Sequence, residues 1–128
     1  MPKRENSEIE TDATSKLIEL LKRAGDHPRE TKNSGSARSE PDIVTPYGIF
    51  EAKGTDNFSF SITPGLMNKF IDRAASYPGL GAIFVNTKQT SFFAVDMTTF
   101  FILWKLYITG VEDQEIEEAE RIYELANR

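Results

Sequence analysis

The sequence contains no cysteine and only one histidine, His27, and these absences limit the kinds of site it can form. Without cysteine the chain can make neither disulfides nor thiolate zinc sites, and one histidine is too few for a histidine-rich metal centre. Any metal site must therefore depend on carboxylates, which favours Mg²⁺ or Mn²⁺ over Zn²⁺.

Long apolar segments are missing as well. Residues 1–5 are polar and lack the apolar core of a secretory signal, so we expect no signal peptide. The most apolar stretch, Met97 to Ile108, is too short to cross a bilayer and contains Lys105. We therefore expect a soluble, intracellular protein, whose 128 residues suffice for one domain with its own core.

Negative charge is concentrated at one end of the chain. The formal net charge is −5, but residues 111–128 contain seven acids and two bases, which leaves thirteen of each in residues 1–110. Residues 16–38 contain six bases against three acids and predict a basic face. The charge pattern by itself neither supports nor excludes a nucleic-acid partner.

Hydrophobic periodicity predicts an α/β fold, a mixed central β-sheet flanked by helices. We expect a main domain over residues 1–110 and an acidic C-terminal helix, residues 111–128, packed on or extending the same domain. The predicted elements are a helix over 9–24, a strand within 26–32, a hairpin over 41–53, a helix over 64–76, strands over 80–85 and 91–95, and helices over 97–108 and 112–127.

The helix predicted over 97–108 is apolar around most of its circumference. Core packing is the expected role of such a helix. A dimer surface is the alternative, because large apolar patches are seldom left to water.

The most informative segment is the hairpin. Pro46 and Gly48 fit a type I turn between two short apolar runs, so folding brings Asp42 beside the end of the second strand. Glu51 and Lys53 lie two residues apart on that strand and point to one face. Two carboxylates and an ammonium are typical of metal-assisted phosphodiester hydrolysis. The alternative is a surface hairpin that carries an ordinary Glu–Lys pair.

The segments Pro41-Asp42 and Glu51-Ala52-Lys53 resemble the motif of the PD-(D/E)xK nuclease superfamily. The resemblance implies a restriction-endonuclease-like core in which Asp42, Glu51 and the Ala52 carbonyl bind Mg²⁺, with Mn²⁺ as a substitute. It implies that Lys53 assists the attacking water and that the first helix supplies another acid. We expect Glu10 in that role, with Glu8 as the reserve; an acid at a helix N-terminus is also favoured by the helix dipole alone.

Residues 49–60 are similar to the Phe-Glu-Ala-Lys-x-Thr…Ser-Phe segment of the RecU family of Holliday junction resolvases, and weaker similarity extends over residues 8–107. That similarity implies a nucleoid-associated homodimer that cuts branched DNA symmetrically, and a phage or mobile element is a compatible source. Asn68 or Lys69 stands near the position of a RecU glutamine. The residues predicted to contact DNA are Asn68, Lys69, Arg29, Lys32, Ser36 and Arg38.

Two other functions remain open. One is a different nuclease of the same superfamily, such as a VRR-NUC-type, flap, restriction or repair endonuclease. The other is a non-catalytic module that binds a protein partner through the aromatic helix and the acidic tail.

Overall fold

A five-stranded mixed sheet forms the centre of the fold and has helices on both faces. The structure is a computed structural model that describes residues 4–31 and 41–127. Its elements are α1 (Asn6–Arg23), β1 (Arg29–Glu30), β2 (Ile43–Thr45), β3 (Gly48–Gly54), α2 (Pro64–Ala74), β4 (Leu80–Asn86), β5 (Ser91–Ala94), α3 (Met97–Gly110) and α4 (Asp113–Ala126).

The strands follow one another across the sheet in the order β1-β2-β3-β4-β5. Strand β3 pairs with β4 in parallel and α2 connects them, whereas the other neighbouring strands are antiparallel. The α/β class, the mixed sheet and the predicted order of helices and strands are confirmed, with element ends displaced by a few residues.

The hairpin turns at Pro46 and Tyr47, as the sequence predicts. Thr45 pairs with Gly48, and the Thr45 hydroxyl accepts hydrogen bonds from the backbone N–H of Tyr47 at 3.0 Å and of Gly48 at 3.2 Å. These bonds satisfy two donors of the turn and hold β2 and β3 in register.

Alternation along β3 sends its side chains into two separate core layers. Ala52 and Phe84 pack against α1 on one face, where Leu17 is fully buried. Ile49 and Ile83 pack against Phe70 of α2 on the other face. The two faces of β3 therefore have different neighbours, and odd-numbered residues of β3 point toward α2.

Helix α4 packs on the same domain through its apolar side. Ile122, Leu125 and Ala126 contact the core layer beneath α1. Beyond the helix, the Asn127 side-chain oxygen accepts hydrogen bonds from the Thr90 hydroxyl at 2.5 Å and from the Ser91 N–H at 3.3 Å. The acids of this segment face solvent, as expected for an amphipathic helix.

The expectation that the aromatic helix packs in the core is wrong. No residue of α3 is buried, and its side chains pack instead on one another along the helix surface. The ring centroids of Phe100 and Trp104, and those of Trp104 and Tyr107, are 6.0 Å apart in stacked pairs. The buried side chains of the two core layers come from α1, α2 and the strands, and α3 is left with most of its apolar surface exposed.

Within residues 4–31 and 41–127, none of the helices combines the length and the apolar character that crossing a bilayer requires.

Candidate functional site

The predicted acidic pair lies at the open end of the hairpin. Ile43 pairs with Phe50, and one further step in this antiparallel register sets Asp42 opposite Glu51. Directly opposed residues share a face of the sheet, and Lys53 shares that face because it lies two residues beyond Glu51. The fold therefore gathers Asp42, Glu51 and Lys53 in one region, on the side of the sheet that α2 covers.

Asp42 is held in place by backbone hydrogen bonds. Its side-chain Oδ2 accepts from the Ala52 N–H at 2.8 Å, and its backbone carbonyl accepts from the Thr31 N–H at 3.0 Å. The side chain thus extends the ladder between β2 and β3 beyond the last backbone pair. This contact fixes the carboxylate against the strand that carries Glu51.

Glu51 is a buried acid with a cationic partner. Its side chain is 9% exposed, and its Oε1 accepts a hydrogen bond from Nη1 of Arg73, in the last turn of α2. A buried carboxylate without such a partner is strongly unfavourable because it loses the water that solvates it. The ion pair therefore accounts for the burial of Glu51 and fixes its direction.

Lys53 is half-buried beside this pair. Among the described residues its ammonium makes no ion pair with a carboxylate within 4.0 Å. The Ala52 side chain points to the opposite face and is buried against α1. Only the Ala52 backbone carbonyl could therefore serve as the predicted ligand.

Glu10 is exposed on α1, the helix that packs on the other face of the sheet. The neighbouring Ile9 approaches Gly54, so this part of α1 lies over the end of β3, one residue beyond Lys53. A methyl group added at Gly54 would come within 2.8 Å of the Ile9 carbonyl oxygen, which explains the glycine. Glu8, the reserve candidate, is exposed in the first turn of α1. The role of Glu10 as a metal ligand stays a prediction.

An exposed charge cluster fastens the start of α1 to the loop after β3. Arg4 Nη2 lies 2.5 Å from Asp56 Oδ1, and the Arg4 guanidinium also pairs with Asp12. The hydrogen bond from Arg4 lowers the pKa of Asp56 below its ordinary value. The cluster keeps the N-terminal turns of α1, and Glu10 with them, near the end of β3.

The predicted DNA contacts are distributed over two elements. Lys69 and Asn68 are exposed on α2, and Arg29 is exposed on β1, at the edge of the sheet. Lys32, Ser36 and Arg38 lie outside the described residues.

The carboxylate and carbonyl oxygens at the open end of the hairpin are suitable ligands for a hard divalent cation. No group of three histidine, cysteine, aspartate or glutamate side chains in the described ranges is placed to hold a metal ion. Two carboxylates and a backbone carbonyl are nevertheless a sufficient set for Mg²⁺, which usually binds through one or two carboxylates, water and substrate phosphate. Asp42, Glu51 and the Ala52 carbonyl fit that description.

Sequence reasoning missed Arg73. It lies 22 residues from Glu51, and no local pattern links the two side chains. The one available signal was helical spacing, since Arg73 follows Lys69 by four residues and therefore shares its face of α2. Only the crossover that lays α2 over β3 brings Arg73 to the site.

A second polar cluster lies on the opposite face. Lys16 Nζ donates to the Asn86 side-chain oxygen at 3.1 Å and to the Ser91 hydroxyl at 2.8 Å, and burial lowers the pKa of Lys16. These bonds join α1 to the β4–β5 hairpin. Their role is to fasten the helix to the sheet.

Comparisons of the chain with protein-family models, with curated proteins and with solved structures find no match.

Proposed function

We propose that the chain is a metal-dependent DNA endonuclease with a PD-(D/E)xK-type site. The observation that carries the proposal is the β2–β3 register, which sets Asp42 opposite Glu51, with Lys53 on the same face. The succession of a helix, an antiparallel hairpin, a crossover helix and a parallel strand is compatible with a restriction-endonuclease-like core. The sequence resemblance at residues 41–42 and 51–53 points in the same direction.

Each group has a chemical part in this proposal. Asp42, oriented by the Ala52 N–H, and Glu51 would hold Mg²⁺ or Mn²⁺ together with the Ala52 carbonyl, and Glu10 is the proposed further acid. When bound, the cation supplies positive charge for the phosphate and lowers the pKa of a bound water. Lys53 would position that water and stabilise the negative charge that develops at phosphorus. The water oxygen would bond to phosphorus as the bond from phosphorus to O3′ breaks, which leaves a 5′-phosphate on one strand end and a protonated 3′-hydroxyl on the other.

Substrate choice is the finer part of the proposal. We infer a four-way junction as the preferred substrate from the resemblance to RecU at residues 49–60. Lys69 and Arg29 are exposed bases that would contact the DNA backbone, and Asn68 lies beside Lys69. Other structure-specific or sequence-specific nucleases of the superfamily use the same chemistry, so they are the nearest alternative.

A homodimer fits this substrate, and the exposed helix α3 offers the surface for it. Nine large apolar side chains of α3 are between 43% and 76% exposed. At about 150–250 Å² for each of the four aromatic side chains, about half of it exposed, the aromatic residues alone present on the order of 400 Å² of apolar surface, and five further apolar side chains add to it. A standard interface takes about 800 Å² from each partner.

Charge also favours a second copy as the partner of α3. Each copy carries a net charge of −5, which opposes association over most of the surface. Helix α3 contains no acid, and its one charged residue is Lys105. Two copies can therefore meet there without bringing carboxylates together.

The activity is tested by incubating the protein with a four-way junction, a linear duplex, a flap and a single strand, each with Mg²⁺ or with EDTA. Paired symmetric nicks in the junction alone, abolished by EDTA and by Asp42→Asn or Lys53→Ala, are the expected result. Cutting of other substrates would retain the nuclease and reject the resolvase. A folded protein that cuts no DNA with Mg²⁺ or Mn²⁺ would favour the protein-binding module, which the exposed aromatic helix also fits.

The dimer is tested by sedimentation equilibrium. Phe101→Glu together with Ile108→Glu should yield a monomer with an unchanged circular dichroism spectrum, since both side chains are exposed. Phe58→Glu, at a phenylalanine outside α3 that is also largely exposed, is the matched control and should remain dimeric. A monomeric wild-type protein at 100 μM would contradict the dimer.

A further inference from the structure

Arg73 contacts the Glu51 carboxylate, which is a proposed ligand of the cation. Its guanidinium donates through Nη1 to Glu51 Oε1, and the Glu51 side chain is almost wholly buried. Without a metal ion, Arg73 is therefore the counter-charge that makes a buried carboxylate tolerable. A divalent cation on Glu51 would supply the same compensation from another direction.

The guanidinium has binding capacity that this ion pair leaves unused. Arg73 Nε is buried and, among residues 4–31 and 41–127, has no hydrogen-bond partner. Buried donors without an acceptor are rare in proteins, and each calls for an explanation such as a water, an ion or a functional partner. Arginine characteristically presents two parallel N–H groups to the oxygens of a carboxylate or a phosphate.

The position of α2 suits a phosphate contact. Lys69 is exposed one helical turn before Arg73 on the same face of α2, so a strip of positive charge leads from solvent to the acidic pair. A phosphodiester held by a cation on Asp42 and Glu51 would enter along this strip. The phosphodiester oxygens are hydrogen-bond acceptors, and Arg73 Nε is a donor that has no acceptor among the described residues.

We propose that Arg73 alternates between two anionic partners, Glu51 in the metal-free protein and a phosphate oxygen of DNA once a divalent cation occupies Glu51. This inference rests on the proposed function. Arg73 competes with the cation for Glu51, and after the cation binds it becomes a substrate-binding residue. The same side chain thus weakens cation binding in the absence of DNA and strengthens DNA binding in the presence of the cation.

The exchange of Arg73 between Glu51 and a DNA phosphate is tested by measuring the affinity for Mn²⁺ and the affinity for DNA, which should change in opposite directions. Mn²⁺ binding to the DNA-free protein is measured by isothermal titration calorimetry for wild type and Arg73→Gln. Binding of a four-way junction is measured by fluorescence anisotropy in Ca²⁺, which takes the same oxygen ligands. Arg73→Gln should bind Mn²⁺ about tenfold more tightly and the junction about tenfold more weakly, the scale of one charge-assisted hydrogen bond.

Two further variants keep the test decisive. Arg73→Lys retains the charge if Arg73→Gln fails to fold; it should leave Mn²⁺ affinity within about threefold of wild type and still weaken junction binding about tenfold, because an ammonium lacks the paired N–H groups. Arg121→Gln, which removes an exposed arginine of α4 that pairs with Glu117, is the control and should change neither affinity.

The outcomes separate the two proposals. A wild-type protein that binds Mn²⁺ and the junction, while the Arg73 variants change neither affinity, would overturn the exchange and leave the nuclease standing. Weaker Mn²⁺ binding in Arg73→Gln would likewise overturn it. A wild-type protein that binds neither Mn²⁺ nor DNA would overturn the proposed function and the exchange together.

Discussion

Replacing Asp42 with alanine should cost both stability and the proposed nuclease activity, whereas replacing it with asparagine should cost mainly that activity. The structural reason is the 2.8 Å hydrogen bond that Asp42 Oδ2 accepts from the Ala52 N–H. Ala52 is 2% exposed, so water cannot easily replace the lost acceptor in Asp42→Ala. Asparagine keeps an acceptor oxygen at the same position but loses the negative charge.

The magnitudes follow from the hydrogen bond. A buried donor left without a partner costs about 1–3 kcal/mol, and changing the acceptor from charged to neutral costs about 1 kcal/mol. For 128 residues the unfolding entropy is about 0.27 kcal/mol/K, so 1 kcal/mol corresponds to about 4 °C in Tm. We therefore expect Tm to fall by about 4–11 °C in Asp42→Ala, centred on about 7 °C, and by about 4 °C in Asp42→Asn.

Thermal unfolding followed by circular dichroism at 222 nm measures these shifts, and the junction-cutting assay measures activity in the same samples. Both variants should be inactive, because each removes a carboxylate from the proposed cation site. Equal Tm values for the two variants would refute the structural role assigned to Oδ2. Cutting by Asp42→Asn at the wild-type rate would refute the proposed catalytic role of Asp42.

Three further predictions concern the scaffold. Phe84→Ala should lower the free energy of unfolding, measured by urea denaturation, by about 3–5 kcal/mol because Phe84 is fully buried. Phe58→Ala, at a position that is 68% exposed, should change the same free energy by less than about 0.5 kcal/mol. Gly54→Ala should lower Tm, since its methyl group would meet the Ile9 carbonyl oxygen at 2.8 Å. Gly65→Ala, in the first turn of α2, would meet only the Thr63 hydroxyl oxygen at 3.9 Å, an ordinary contact, and should be neutral or raise Tm. The Arg4–Asp56 pair should stabilise the fold above the unfolded-state pKa of Asp56, near 3.8, and lose that contribution as pH falls through the lower folded-state pKa. The Tm difference between wild type and Asp56→Asn should therefore stay constant from pH 7 to about pH 4 and shrink as the pH falls below 3.8, and a difference independent of pH would contradict the assignment.

Local sequence patterns correctly predicted the parts of the fold that depend on residues close together in the chain. The two-residue turn at Pro46, the alternation along β3 and the helical spacing of Ala13, Leu17 and Leu20 each depend on a few neighbouring residues. Those signals predicted, in the observed order, the helices and strands that the structure describes within residues 4–31 and 41–127, and they placed Asp42 beside Glu51 through a hairpin register that the turn itself sets.

The sequence alone determined the element order, the acidic hairpin and the exclusion of thiolate and histidine-rich metal sites, because these depend on composition and on contacts close in the chain. Only the tertiary structure decided that Arg73 meets Glu51, since the parallel pairing of β3 with β4 carries α2 back over the site. It also decided that α3 is left uncovered. An apolar helix can be buried or exposed with the same sequence, and the outcome depends on which other elements have already filled the two core layers.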